Sequence, residues 1–385
     1  MNVHRSPIAS ASLAAPIAIQ RPRVIEFGAG VAGLAGRWAA EHGLSRILVI
    51  ADAFNAARVD VLELKGEVRV FGTVKPEPDV ANLDAALALA VEVAPDLVIG
   101  FGGGSAMDLA KLVAVLPSSG QTLAEVVGPE KVRARGARLM QVPTTSGTGS
   151  EAGTRALVTD PATQNKLAVQ SLHMLADIAI IDPALTLTVP PAVTAATGVD
   201  ALAHCVEAFT SRKAHPLIDM YALEGVSLVG RFLARAVENG ADVEARAGLS
   251  LASLYGGFCL GPVNTTAGHA VAYPLGTRHH IAHGAANALI FPHTLAFNAP
   301  VAAEKTAAIL SALGLEPSPH QEEVFGAAYG YCAKLGCEMR LSALHVPRAD
   351  LPEMAREAHA IRRLLDNNPR DISREEILAL YEKAY

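Results

Sequence analysis

Residues 99–111 read IGFGGGSAMDLAK, and their order decides the fold class. An apolar strand, Leu97–Gly100, runs into Gly102, Gly103 and Gly104, then Ser105, then a helix rich in alanine and leucine. Backbone without side chains lets phosphate oxygens approach its N–H groups, and a helix N-terminus adds positive potential. The segment reads as a phosphate-binding turn at the carboxyl end of a strand. The alternative is a plain flexible turn.

Working outward, short apolar runs recur at Val24–Phe27, Ile47–Ile50, Val68–Phe71, Leu139–Val142 and Ile178–Ile181, with alanine-rich periodic segments such as Val80–Val93 and Ala106–Val115 between them. This alternation predicts βαβ units and a parallel sheet, on which ligands bind at the carboxyl ends of the strands. Three further loops are candidates. Gly28, Gly30 and Gly33 fit the dinucleotide-binding spacing GxGxxG, but the pattern is weak in a chain with 32 glycines. Asp52, at the end of the second strand, suits either a ribose hydroxyl or a helix cap. The loop PTTSGTGSE at 143–151 carries five hydroxyl side chains, among them Thr144, Thr145 and Thr148. Lys166 lies in a polar turn, from which it either reaches inward or faces solvent.

Around Pro190 and Pro191 the texture changes: no strand signal recurs, and helical patterns such as Ala192–Ser211, Pro216–Glu238 and Val243–Cys259 take over. The expected organisation is an extension at 1–22, an α/β nucleotide-binding domain at 23–190 and an all-α domain at 191–385. A chain of 385 residues favours two domains. A 51% apolar share and 18% charged share suit buried cores and a parallel sheet covered on both faces.

A net charge of −6 without runs of like charge disfavours nucleic acid or an anionic membrane as partner. No apolar run reaches the ~18 residues of a membrane span. Met1–Pro22 imitates a signal peptide only faintly, its apolar run being broken by Ser10, Ser12 and Pro16. Cys205, Cys259, Cys332 and Cys337 form no disulfide framework, so reduced thiols in a cytoplasmic protein are expected.

The helical half holds the second cluster. Asp200 and His204, at i and i+4, project from one helix face. Downstream, GHAVAYPLGTRHHIAHG at 268–284 contains His269, His279, His280 and His283. An aspartate with three neutral imidazoles is a suitable shell for Fe2+ or Zn2+ with a position left for a substrate oxygen. His269 and His283 are the candidates to join Asp200 and His204, with His279 and His280 competing. His293 reads as a packing residue.

Taken together, GGGSAMDLAK at 102–111, PTTSGTGSE at 143–151, GVDALAHCVEAF at 198–209, GHAVAYPLG at 268–276, HGAANALIFPHTLAFN at 283–298 and RLLDNNPR at 363–370 resemble the iron-containing (group III) alcohol dehydrogenase family. The likeness spans nearly the whole chain in the right order. It implies a dehydroquinate synthase-like fold: an α/β nucleotide-binding domain followed by a helical metal-binding domain. It further implies metal ligands at Asp200, His204, His269 and His283, and cofactor contacts at Asp52, Gly103, Gly104, Ser105, Asp108, Thr144, Thr145, Thr148 and Lys166. The glycines at 28, 30 and 33 are not the family's main phosphate site.

The implied activity is hydride transfer between NAD, or NADP, and a small alcohol or aldehyde, assisted by Fe2+ or Zn2+ and carried out by a homodimer or larger homo-oligomer. Asp52 favours NAD. Two positions depart from the pattern. Tyr273 stands where many members have a proton-relaying histidine, and Glu77 stands where relatives commonly have asparagine. Maleylacetate reductases and hydroxyacid–oxoacid transhydrogenases are the alternatives within the family, and a metal-dependent lyase or hydrolase is the alternative outside it. Arg278 is the residue that would suit an anionic substrate.

Overall fold

The computed structural model describes residues 13–162 and 165–385; residues 1–12 of the expected extension lie outside the described residues. The described chain forms two compact units, residues 20–188 and residues 13–19 with 189–385.

Among its described residues the first unit has nine strands: β1 (Val24–Phe27), β2 (Arg46–Ala51), β3 (Glu67–Phe71), β4 (Leu97–Gly102), β5 (Gly128–Pro129), β6 (Arg138–Pro143), β7 (Arg155–Asp160), β8 (Asn165–Gln170) and β9 (Ile178–Ile181). Six of them make one sheet in the order β1-β9-β6-β4-β2-β3, with every pairing parallel. β4 is buried along its whole length, and β2 along all but Arg46. Their unbroken apolar runs reflect a sheet covered on both faces, where no alternate position meets water. The crossover helices Val80–Val93 and Gly104–Ser119 supply part of that cover, packing Leu83, Ala86, Leu109 and Val113 with Leu48, Ile50 and Val98.

A second sheet, β5-β8-β7, was not expected from the sequence. β7 and β8 run antiparallel as a hairpin, and β5 contributes two residues. In β7 only Ala156 and Val158 are buried among mostly polar neighbours, too short an alternation to announce a strand.

The second unit is helical in its described residues. Its longer helices are Pro191–Thr210, Pro216–Glu238, Val243–Leu260, Ala267–His279, His283–Asn298 and Gln321–Lys334. Two apolar clusters hold it together, one centred on Val199, Leu202, Val226, Phe232 and Leu249, the other on Val271, Leu275, Leu289, Met354 and Tyr381. Proline at the first position begins Pro191–Thr210, where its missing N–H is not needed. The buried Arg246 guanidinium ties that start down, donating to Val189 O at 3.0 Å and Thr194 Oγ1 at 2.7 Å. Ile17 and Ile19 pack against the first cluster, and Ala15 O lies 3.1 Å from His215 Nε2. Residues 13–19 of the expected extension are therefore anchored on the helical unit. No helix among the described residues is long and apolar enough to cross a membrane.

Candidate active site and metal centre

In the first unit, β2, β4 and β6 are adjacent and parallel, so their carboxyl ends share one edge. Gly103 caps the helix Gly104–Ser119 there. Thr144 N donates to Gly102 O at 2.9 Å, joining the glycine turn to the threonine loop. A Cβ on Gly104 would lie 2.8 Å from Thr148 Cγ2, so glycine is required for the two loops to approach this closely. A Cβ on Gly103 would lie 3.3 Å from Thr145 Oγ1, and one on Gly102 3.3 Å from Asp52 Oδ2. Asp52, the Gly102–Ser105 turn and the threonine loop thus converge.

The alternatives left open by the sequence resolve into contacts. Asp52 does cap a short helix, accepting from Asn55 N at 3.0 Å, while its other oxygen accepts from Asn55 Nδ2 at 2.6 Å. It sits at the loop edge as well. Lys166 forms an ion pair with Glu77 and donates to Thr159 Oγ1 at 2.8 Å. Glu77 N in turn donates to Ser105 Oγ at 3.3 Å, so this pair borders the glycine turn. Asp108 is committed to neighbouring protein groups: it accepts from Ser150 Oγ at 2.5 Å and Leu157 N at 2.9 Å. Buried Lys111 donates to Ser150 Oγ at 2.6 Å and Arg155 O at 2.7 Å, completing a strut between the helix and the threonine loop. Burial pushes the Lys111 ammonium below its ordinary pKa, against the pull of Asp108. Beside it, burial lifts the Glu151 carboxyl to about 7.

The early glycine loop has its own internal anion. Gly30 N and Ala32 N donate to the two oxygens of Asp182 at 2.9 and 3.0 Å. The amides that a pyrophosphate would need are already satisfied by this carboxylate.

In the second unit, Asp200 and His204 project from Pro191–Thr210, His269 from Ala267–His279, and His283 opens His283–Asn298. Asp200, His269 and His283 present donor atoms within 4.8 Å of one another. Asp200 Oδ1 lies 3.5 Å from His269 Nε2, 3.6 Å from His283 Nε2 and 3.9 Å from His204 Nε2. Tetrahedral bonds of ~2.1 Å would set ligand atoms roughly 3.4 Å apart, so Asp200, His269 and His283 have the dimensions of a metal site, with His204 at its margin. The His204 and His269 rings stack at 4.6 Å. His279 is drawn away, with Nε2 3.5 Å from Asp350, and His280 ends its helix in a left-handed conformation. His293 is buried against Phe325, its ring centroid 4.9 Å away.

Two residues not singled out in the sequence complete the centre. Glu207 accepts from His269 Nδ1 at 2.6 Å, Thr266 N at 2.6 Å and Thr266 Oγ1 at 3.0 Å. With Nδ1 carrying the proton, the His269 Nε2 lone pair faces Asp200, the arrangement that fits imidazole as a ligand. Gly268 makes room for this contact, since a Cβ there would lie 2.6 Å from Glu207 Oε1. Asn287 Nδ2 sits 2.6 Å from Asp200 Oδ1 and 3.2 and 3.1 Å from His269 and His283 Nε2. Helical spacing was the available signal: Glu207 follows Asp200 by seven residues, and Asn287 follows His283 by four.

The electrostatics favour a cation. Burial pushes the Asp200 carboxyl up, but His204, His283 and His269 outweigh it and hold the group well below the usual carboxylate range. Burial holds His204 neutral by lowering it to about 4. Burial also opposes charge on His269, yet Glu207 and Asp200 raise it to about 10. Two buried carboxylates flanking one imidazole call for positive charge, which a second proton on His269 supplies in the metal-free protein and a divalent ion facing Nε2 would supply in its place.

Comparison with known proteins settles the family. The description "Iron-containing alcohol dehydrogenase" matches residues 22–183, and "Fe-containing alcohol dehydrogenase family, C-terminal" matches residues 194–385. The chain belongs to the iron-containing alcohol dehydrogenase family. Within it, the chain is 37% identical over 328 residues to long-chain-alcohol dehydrogenase 1 of Geobacillus thermodenitrificans, covering 83% of this chain and 82% of that one. The crystal structure of a 1,3-propanediol oxidoreductase is similar at a TM-score of 0.90 and 30% identity, covering 96% of this chain and all of the other. A sulfoacetaldehyde reductase from Bifidobacterium kashiwanohense, crystallised in complex with NAD+, is similar at a TM-score of 0.85 and 27% identity, covering 96% of this chain and 99% of that one.

Proposed function

We propose that this iron-containing alcohol dehydrogenase family member interconverts a small alcohol and its aldehyde or ketone with NAD as hydride partner. Asp200, His204, His269 and His283 would hold Fe2+ or Zn2+. Gly103, Gly104, Ser105, Thr144, Thr145 and Thr148 would hold the dinucleotide, and Asp52 would accept from its ribose hydroxyls and repel the 2′-phosphate of NADP. In the forward direction the substrate's C–H bond breaks, its electron pair and hydrogen pass to the nicotinamide, and the O–H proton leaves, giving carbonyl, NADH and H+. The metal, when bound, supplies charge that lowers the pKa of the substrate hydroxyl, and the nicotinamide supplies the hydride acceptor.

The protein's own residues do the rest. Glu207 fixes the His269 tautomer. The Tyr273 ring lies 5.8 Å from that of His283, so its hydroxyl is our candidate to carry the departing proton. Asp108 and Lys111 hold the threonine loop in place through Ser150.

The observation that carries this reading is His269 held between Asp200 and Glu207 in a cage of metal-site dimensions. Asp200 also supplies a carboxylate ligand, which favours a metal-dependent enzyme over the maleylacetate reductase alternative. We further take the enzyme to be cytoplasmic, since its four free thiols suit a reducing compartment, and to be a homo-oligomer, which light scattering would check. The central test is metal analysis with an NAD-coupled screen of alcohols and aldehydes on one preparation. His269→Ala is expected to lose both metal and turnover; full activity in metal-free H269A protein would refute the assignment.

A further inference from the structure

Of the four histidine and aspartate side chains at the metal centre, His283 is the one open to solvent, with its side chain 29% exposed against 2–6% for the others. The Tyr273 ring flanks that open side, 5.8 Å from His283 and 6.5 Å from His269. Over Tyr273 lies Arg363, its Cζ 5.5 Å from the ring centroid.

The neighbouring arginines are neutralised. Arg278 Nη1 is 2.7 Å from Glu357, Arg362 pairs with Asp366, and Arg370 Nη2 is 3.0 Å from Glu376. The sequence pointed to Arg278 for an anionic substrate, but its charge is spent on Glu357. Arg363 is exposed and has no ion pair among the described residues. It is not a drifting surface side chain at its base. Asn367 Nδ2 donates to Arg363 O at 3.1 Å and to Thr265 O at 3.2 Å, fastening the turn to the segment that leads into Ala267–His279. Asn368 Oδ1 accepts from Ala267 N at 3.4 Å and Asn298 Nδ2 at 3.0 Å. The Arg363 backbone is thereby registered to the helix that carries His269 and Tyr273.

We propose that Arg363 is a specificity-determining residue that recognises a carboxylate at the far end of the alcohol or aldehyde substrate. A guanidinium lying over an aromatic face keeps its in-plane N–H groups available, and its fork matches a carboxylate in two parallel hydrogen bonds. With the reacting oxygen at the histidine cluster and the carboxylate at Arg363, the substrate class is a short-chain hydroxy acid or its oxo acid. The inference rests on the oxidoreductase reading above.

The test compares the metal-loaded wild type and Arg363→Ala on 4-oxobutanoate and butanal with NADH. The two aldehydes match in chain length and differ in the charged end. In R363A, kcat/KM for 4-oxobutanoate is expected to fall about 10- to 100-fold, mostly through KM, while that for butanal stays within about twofold. Arg363→Lys restores part of the loss. Succinate raises the Tm of the metal-loaded wild type and not of R363A, a reading independent of turnover. A wild type that reduces butanal and ignores 4-oxobutanoate overturns the proposal, as does an equal loss on both aldehydes or a succinate shift that persists in R363A. An enzyme that turns over no alcohol or aldehyde with either nicotinamide is a different failure, that of the oxidoreductase reading itself.

Discussion

Glu207→Gln isolates the contribution of a carboxylate that sits one step behind the metal ligands. Its Oε1 accepts from His269 Nδ1, and its Oε2 accepts from Thr266 N, Thr266 Oγ1 and, at 3.3 Å, His269 N. Glutamine keeps the shape but has one acceptor and one donor end. If its oxygen stays with the three donors, the amide NH2 faces His269 Nδ1. The ring must then take the other tautomer, placing a proton on Nε2, 3.5 Å from Asp200, where the ligand lone pair is needed. If the amide turns over, its NH2 meets the donors at Thr266 in a buried site, which costs about 1–3 kcal/mol. Either route weakens the metal site. Loss of a group that orients a metal-bound histidine typically costs about 10- to 100-fold in affinity, or about 1.4–2.7 kcal/mol. The assay is competition against a fluorescent chelator at pH 7.5, with bound metal counted by elemental analysis and the Tm of the metal-stripped protein as a control for folding. A Kd within about twofold of the wild type in a folded E207Q protein would show that the tautomer argument is wrong.

Three further outcomes follow from the geometry. Glu151 is buried, with its pKa raised from 4.5 to about 7, so the folded state holds its proton more tightly than the unfolded state and wild-type stability falls as pH rises through that window. Glu151→Gln removes the effect: urea unfolding should find E151Q equal to the wild type near pH 4.5 and more stable by up to about 3 kcal/mol at pH 8, and a pH-independent difference would count against it. Ser150→Ala breaks the strut that ties Asp108 and Lys111 of the helix to the threonine loop, so initial rates should show KM for NAD raised on the order of tenfold with metal content unchanged. An unchanged KM would mean that the strut does not position the loop. Tyr273→Phe should lower kcat by about 100-fold near neutral pH with little change in metal content, if the hydroxyl carries the proton; stopped-flow transients that match the wild type would remove Tyr273 from that role.

The four inner strands of the main sheet, β2, β4, β6 and β9, were visible in the chain because each, buried on both faces, is apolar at nearly every position, while the edge strands β1 and β3 showed as shorter apolar signals with exposed positions. The glycine turn was visible because close approach of backbone to Thr148 leaves no room for a side chain at Gly104. Asp200 and His204 were visible because four residues make one helical turn. These are local constraints, written within a few positions of one another. What the sequence left undecided depended on residues far apart in the chain. Asp182 lies 152 positions from Gly30, whose amide it fills, so the first glycine loop looked like a nucleotide site until the fold closed it. Lys166 and Glu77 are 89 positions apart, and neither announced the other. Glu207 became legible as a tautomer-setting group only when it met His269, 62 residues on. The hairpin of β7 and β8 was hidden because only Ala156 and Val158 of β7 alternate inward, against the helix Gly104–Ser119, too few positions to stand out among polar neighbours. Among the arginines, local sequence could not say which positive charge was spent. Tertiary structure decided that by giving Glu357 to Arg278 and Tyr273 to Arg363, because a charge is neutralised by whatever folds against it and not by its neighbours in sequence.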